Sequence, residues 1–427
     1  MAKPATIAQK IIARAAGVSF VTTGEIVTAK VDLAFAHDSS GPRRWAPQLE
    51  RLGVGLWDPA KVAIVTDHYV PATDADSAAI LKIAREFAAT HDVKSFFDMV
   101  GICHLVLPER GLIRPGAFVA GGDSHSPTGG AFGAYVAGYG ATDMIGIVAT
   151  GETWLAVPET IRIELEGDLP NGVVAKDLML MLCRELGMDN AFRAFEFAGS
   201  TVAAMEMHER MVLSNMATEL GGEVGIIAPD DVTFAFLRER DAPVEDEDAA
   251  RALASDPDAL CEAVHRFDAT ALSPQVAAPH SPENTRDVGE FADVRIDQAY
   301  IGACVGAKLS DLHMVAQVLK GRQVASGVRL LIAPASLETM NRAASDGTLE
   351  TLTDAGALIM PTGCGACAGM GAGVLADGET CISSTNRNFQ GRMGHSGANV
   401  YLGSPYTTAA TAVAGRIADP RTILEQI

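Results

Sequence analysis

Along the chain, short β-branched or apolar runs stop abruptly at polar residues. They are VAIVTDH (62–68), GAFVAGGDSH (116–125), DQAYIGAC (297–304), GALIMPTGCGAC (356–367) and ETCISSTNRNF (379–389). Helical spacing lies between them. Ile80, Ile83, Ala84 and Phe87 within 76–90 follow the i, i+3, i+4, i+7 rule, and so do Leu312, Val315 and Leu319 within 309–320. Strands alternating with helices predict an α/β fold with mostly parallel sheets. In open parallel sheets ligands sit beyond the carboxyl ends of the strands, and polar, reactive residues fall at that point five times here.

The middle of the chain has another texture. A strand-like IRIELEG (161–167) opens it, an acidic Ala/Asp/Pro-rich tract fills 238–258, and PQVAAPHSPEN (274–284) reads as a loop. Boundaries near 160 and 285 give three α/β domains, 1–159, 160–285 and 286–427. The first and last thirds echo each other only loosely. At the N-terminus Ile7, Ile11 and Ile12 share one side of an amphipathic helix, and TTAATAVAGRIADPRTILEQI at the other end reads as a helix and tail.

Composition narrows the function. A 427-residue chain with 48% hydrophobic residues and 42 glycines is a well-cored α/β protein rich in turns. Its net charge of −20 argues against a nucleic-acid partner and requires locally placed arginines for any anionic substrate. No stretch approaches the roughly 18 apolar residues that cross a membrane. Seven cysteines without an export signal favour metal or cluster ligation over disulfides, so the reading is a cytoplasmic enzyme.

Cys304 closes one strand and Cys364-Gly-Ala-Cys367 closes another, with Gly302, Gly363, Gly365 and Gly369 around them. Three candidate ligands are one short of a closed site, as in a catalytic metal centre. A lone C-x-x-C is by itself a weak metal signal, and its ordinary reading is a buried or redox-active pair. Cys103, Cys183, Cys261 and Cys381 read as small buried hydrophobes. Other constellations are open in the same way. Asp67-His68 is an acid–imidazole pair or a turn. Gly122-Asp123-Ser124-His125-Ser126 nearly spells a hydrolase nucleophile elbow but lacks its closing glycine. Asn215 and Glu219 would share a helix face. Asn386, Arg387 and Arg392 form either a carboxylate-binding group or a solvated basic loop. Gly371 to Ala376 formally matches a dinucleotide fingerprint, but it follows the cysteine pair rather than a strand.

Longer segments settle the comparison. TDH (66–68), GICHLVLPERG (101–111), GGDSHSPTGGAFGA (121–134), ERMVLSNMATELGGEVGIIAPDD (209–231) and SPEN (281–284) lie in the first two thirds. IGACVGAKLSDL (301–312), GCGACAGMGAGVLADGE (363–379) and STNRNFQGRMG (384–394) follow. With these the chain resembles the aconitase superfamily nearly end to end, in particular the separate large subunits of 3-isopropylmalate dehydratase, homoaconitase and 2,3-dimethylmalate dehydratase. The resemblance implies a three-domain α/β/α architecture. It also implies one [4Fe–4S] cluster on Cys304, Cys364 and Cys367 whose fourth iron lacks a protein ligand and binds substrate. It assigns proton transfer to Asp67 and His68. It pairs Asp123 with His104 and His125 with Glu219, and sets Ser124 among the groups around the iron-bound oxygens. Asn215, Asn386, Arg387 and Arg392 become cluster or substrate contacts.

The resemblance further implies a separate small subunit carrying the swivelling fourth domain, with a serine base and more arginines. Two departures bear on substrate choice. Val305-Gly306 stand where many relatives have Thr-Asn, and FAHDSSGPRRW (35–45) brings Arg43 and Arg44 where a Gln-containing loop is usual. The expected activity is dehydration, with rehydration, of a small hydroxy-di- or tricarboxylic acid such as 3-isopropylmalate. A 2,3-dimethylmalate, citramalate or homocitrate dehydratase is the rival within the class. An RNA-binding aconitase-like regulator, an electron-transfer cluster protein and a zinc protein are the rivals outside it.

Overall fold

The structure is a computed structural model that describes residues 3–425; positions 1–2 and 426–427, the outermost residues of the two terminal segments, lie outside the described residues. Three sheets carry the chain. In the first, strands run 95–98, 62–66, 33–37, 118–121 and 135–138 across the sheet, all parallel. The second orders 224–227, 193–198, 159–166 and 263–268, again all parallel. The third has seven strands, 285–287, 275–277, 399–402, 380–383, 298–301, 329–332 and 358–359; the last five of these are parallel and the first two close one edge antiparallel. A two-stranded antiparallel ribbon, 26–30 with 152–156, stands apart.

The apolar runs of the first sheet's inner strands become strands because both of their faces are buried, whereas the edge strand Ala263–Asp268 of the second sheet alternates partly buried with exposed residues. Every residue of Val62–Thr66 is buried, as are those of Leu33–His37 and Phe118–Gly121. A strand buried on both faces needs an unbroken apolar run, not an alternating one. One continuous core joins the three sheets, and a second packs the helix Ile7–Ala16 against the first sheet with Ile7, Ile11 and Ile12 inward.

Two expectations shift. In the helix Ala75–Thr90 the buried stripe is Ser77, Leu81, Ala84, Phe87 and Ala88, while Ile83 is exposed. Ile80 and Ile83 match the spacing but lie one step around the helix from the side that meets the sheet. The boundary expected near 285 falls inside the third sheet, because Gln275–Ala277 already pairs there. Among the described residues no helix is long and apolar enough to cross a membrane.

The helix Met207–Met216 crosses the junction of the sheets, anchored by a fully buried arginine. Arg210 donates from Nη1 and Nη2 to the Asp230 carboxylate at 2.6 and 2.8 Å, and from Nε to Met205 O at 3.0 Å. The Asp230 side chain is 37% exposed and keeps the Val232 and Thr233 N–H donors, so removing Arg210 costs about 1.5–3 kcal/mol, the worth of its charged hydrogen bonds. Arg210→Met should therefore lower the free energy of unfolding by about that much, read as a lower urea midpoint at an unchanged slope. An unmoved midpoint would show that the pair adds nothing.

Candidate active site

Six strand ends converge at their carboxyl sides. Val62–Thr66 delivers Asp67 and His68, Leu33–His37 delivers Asp38, and Phe118–Gly121 delivers Asp123 and His125. From the third sheet, Gln298–Ile301 leads into Cys304, Leu358–Ile359 into Cys364 and Cys367, and Thr380–Ser383 into Asn386 and Arg387. Cys304 sits in the short helix Ala303–Gly306, and Cys364 caps the turn Gly365–Ala368.

Asp67 is the junction of the two sheets. Its Oδ1 lies 2.7 Å from His68 Nδ1, its Oδ2 accepts the Cys103 N–H at 2.7 Å, and its carbonyl accepts the Cys364 N–H at 2.9 Å. Gly363 makes that last contact possible, with φ at +137° and a hypothetical Cβ only 2.7 Å from Asp67 O. Burial pushes the Asp67 carboxyl up, but His68 outweighs it and holds the group below its ordinary range. Burial pulls His68 down, and the Asp67 charge and hydrogen bond more than offset this, carrying the imidazole up to about 9.

A second network faces it. His104 Nε2 lies 2.7 Å from Asp123 Oδ1, and His125 Nε2 lies 3.1 Å from Glu219 Oε1. Arg387 Nε donates to the same Glu219 oxygen at 2.7 Å, and Nη1 donates to Ser124 Oγ at 3.3 Å. Burial alone would raise Asp123 and Glu219. The histidines around Asp123 bring it well below the usual carboxylate range, and His125 with Arg387 lowers Glu219. His125 rises, because Glu219 and Asp123 outweigh its burial. The exposed Ser124 bonds to Arg387 while His125 is turned to Glu219, so the nucleophile-elbow reading has no base on its serine.

Asn215 reaches the cysteines from the helix Met207–Met216. Its Nδ2 donates to Cys304 Sγ at 3.1 Å and to Thr128 Oγ1 at 2.7 Å, and its carbonyl oxygen accepts from Asn386. Glu219 lies just beyond that helix in the following turns. Arg392 stands at the cysteine loop, with its carbonyl 2.9 Å from the Cβ position of Gly369. A Cβ on Gly306 would meet Ser384 Oγ at 2.2 Å, so a larger residue beside Cys304 has no room here. Arg43 donates to Ser39 O at 2.7 Å and lies 5.8 Å over the Tyr69 ring, next to His68, whereas Arg44 is exposed. Gly371 to Ala376 follows the turn Gly365–Ala368 and not a strand.

Three groups escaped the sequence reading. Asp38 accepts three successive backbone N–H groups, from Asp67 at 3.2 Å, His68 at 3.0 Å and Tyr69 at 2.8 Å, and so fixes the turn that presents His68. His37 stacks on His68, with centroids 3.7 Å apart, and its Nε2 lies 3.4 Å from Asp123 Oδ2. Its Nδ1 accepts the Ser39 N–H at 3.2 Å, so in the neutral ring the hydrogen is on Nε2, facing Asp123. His37 thus joins the two networks. The signal was present, since LAFAH at 33–37 is another apolar run ending at polar residues. The third is Lys176, fully buried, donating to Thr385 O at 2.6 Å. Burial brings its ammonium down to about 8 against the opposing pull of Glu219 and nearby thiols.

The donor set suits a cationic cluster. Burial raises the thiol of Cys304 to about 12 and that of Cys364 well above its usual range, and their mutual proximity adds to this. Such thiols ionise only when a cation compensates them. Glu219 Oε2 and Arg392 Nε are buried without a hydrogen-bond partner, one acceptor and one donor that suit a bound hydroxy acid. The His/Asp groups at 37, 38, 67 and 68 and at 104, 123 and 125 have ligand atoms close enough to hold an ion, but the bonds within them already pair imidazole with carboxylate.

The chain belongs to the aconitase family, described as aconitate hydratase, whose model matches residues 9–293 and 284–415. This is a family of iron–sulfur hydro-lyases. The chain is 46% identical to the 3-isopropylmalate dehydratase large subunit 1 of Methanopyrus kandleri, over 98% of this chain and 99% of the relative. It is 42% identical to a probable methanogen homoaconitase large subunit of Methanothermobacter thermautotrophicus, over 97% of each. In fold it is similar to Thermococcus kodakaraensis aconitase X in its holo-form, with a TM-score of 0.50 and 13% identity over 84% of each chain.

The Asp67–His68 pair should act as a pH-dependent clamp. The His68 contribution is complete below its ordinary pKa near 6.5 and fades as pH rises through about 9; the Asp67 contribution holds above its ordinary 3.8 and fades as pH falls below that. In Asp67→Asn, NMR of the histidine rings should show His68 titrating well below about 9. An unmoved titration would mean that Asp67 does not hold that proton.

Proposed function

We propose that the chain is the cytoplasmic large subunit of a [4Fe–4S] hydro-lyase that removes water from a 3-isopropylmalate-type hydroxy acid and returns it at the neighbouring carbon. A separate small subunit completes its site. The observation that carries this is the double attachment of Asp67, to the proton-carrying His68 through its side chain and to the Cys364 loop through its carbonyl. It couples an acid to a ligand set one short of closure, as dehydration of an unactivated hydroxyl requires.

Cys304, Cys364 and Cys367 are the ligands in this reading, and the cluster, when bound, supplies a Lewis-acidic corner for the substrate's hydroxyl and one carboxylate. The chain's own groups do the rest. His68 keeps Nδ1 on Asp67 and so offers Nε2 to protonate the departing hydroxyl. Asp123 with His104 and Glu219 with His125 hold protons beside the reacting oxygens, and Ser124 steadies Arg387. Arg387 has N–H groups left after Glu219 and Ser124 are served, and with Arg392 it clamps substrate carboxylate. Asn215 and Asn386 orient Cys304. The base that removes the carbon-bound proton is assigned to the small subunit. The second domain boundary belongs between Asp268 and Gln275, leaving domains that begin at residue 1, near 160 and in that gap.

The 3-isopropylmalate assignment follows relatives such as the 46% identical one, and the 42% identical relative with a homoaconitase name keeps homocitrate in the test. After anaerobic reconstitution the chain should be brown with about four irons, and Cys304→Ser should lose the cluster. With a small subunit added, 3-isopropylmalate should turn over faster than homocitrate, 2,3-dimethylmalate or citramalate. A colourless zinc protein would overturn the mechanism, and preference for another acid would overturn only the substrate. Arg387→Lys should raise KM by about 10- to 100-fold, the worth of one charge-assisted contact of about 1.5–3 kcal/mol.

A further inference from the structure

A cavity of about 500 Å³ opens at the far ends of the helices that serve the active site. The helix Cys103–Glu109 starts at Asp67 and reaches the cavity with Leu105 and Glu109. The helix Met207–Met216 lines it with Met207 and Met211, whereas Asn215, which touches Cys304, lies about 12 Å and about 6 Å further along from these two, at 1.5 Å per residue. None of the residues assigned to catalysis lines it.

The lining contains three buried side-chain atoms without a hydrogen-bond partner, Arg240 Nε, Lys308 Nζ and Ser310 Oγ. All three can donate, which is what an anion requires. The Arg240 guanidinium stacks 3.5 Å over the Phe236 ring, and its Nη1 donates to Phe236 O at 3.2 Å, which leaves Nε unused. The Lys308 side chain is 6% exposed. Its Nζ is 2.8 Å from Asp311 Oδ2, a charge contact out of line for a hydrogen bond, and that oxygen already accepts the Lys308 backbone N–H. Acidic groups are present too. Glu206 and Glu239 are exposed, Glu338 faces Arg240 and Arg342, and Glu109 accepts the Ser336 hydroxyl. Leu105, Met207, Met211 and Val232 supply an apolar wall.

We propose that this cavity is a second ligand site, separate from the catalytic one, for a small branched-chain carboxylate. Its head is held by Arg240, Lys308 and Ser310, and its branch lies on the apolar wall. Lys308 and Arg240 already lie near Asp311, Glu239 and Glu338, so what the cavity lacks is acceptors for three donors. A carboxylate offers two acceptor oxygens and no donor, whereas an amide offers one and adds an N–H. A bare anion would leave the apolar wall unfilled.

The test is calorimetric titration of the full chain with isovalerate, against isovaleramide and acetate as probes lacking the charge or the branch. Isovalerate should bind, and both controls should bind about tenfold more weakly or worse. Ala235→Trp, at an exposed position of the helix Asp231–Arg238 on the cavity lining, should abolish binding while leaving Tm and dehydration unchanged. Arg240→Gln should weaken binding by about tenfold. No binding of millimolar isovalerate, equal binding of the amide, or isovalerate binding that survives Ala235→Trp would each overturn the proposal.

Discussion

The Asp67 carboxylate is the constraint on which the site depends. It is buried without losing its charge because every direction is answered: His68 on one oxygen, the Cys103 N–H on the other, and Asp38 holding the backbone behind it. A buried carboxylate lacking these partners would cost several kcal/mol and would protonate instead. Through its carbonyl the same residue fixes the cysteine loop. The spacing between the acid and the loop is therefore set by one residue's internal geometry, not by the looser packing of one sheet on another.

The charges around it are arranged against the field of the molecule. In a chain of net charge −20, the cations beside the cysteines and the His/Asp networks are ones that cannot swing away. Arg387 is held at Glu219 and Ser124, and Lys176 is locked on Thr385 O inside the core. Fixed cations of this kind need no reorganisation when a carboxylate arrives. The stacked His37 and His68 rings, with Asp67 on one side and Asp123 on the other, extend the same preorganisation across the first sheet.

Much of this was legible in the sequence for one reason. In a doubly covered parallel sheet, the place where an apolar run stops is also the place where chemistry is displayed. Cys304, Asp67 and Asn386 could be found from that rule and from the family motifs. His37 and Asp38 obey the rule equally, but the arginines that follow them drew attention to the loop and away from the strand end. Lys176 was hidden because a lysine within an apolar helix looks like the solvent face, and only tertiary contacts reveal that no solvent face exists there. Ile83 failed in the opposite sense, since helical spacing gives the stripe but not which side the sheet occupies. The sheet change at Gln275 carried no signal, because a three-residue edge strand has too little pattern to be seen.

The distribution of the site along the chain has a consequence for how the protein is made. The site histidines and aspartates of the first sheet run from His37 to His125, while the cysteines come at 304–367, the last of them about 300 residues after His68. At a ribosomal rate of about 5–20 residues per second, the first sheet is complete some tens of seconds before the last thiol emerges. The Asp67 carbonyl is thus synthesised as a hydrogen-bond acceptor that waits for Cys364. The contact between the first sheet and the Cys364 loop therefore closes late in synthesis, after every strand of that sheet has emerged.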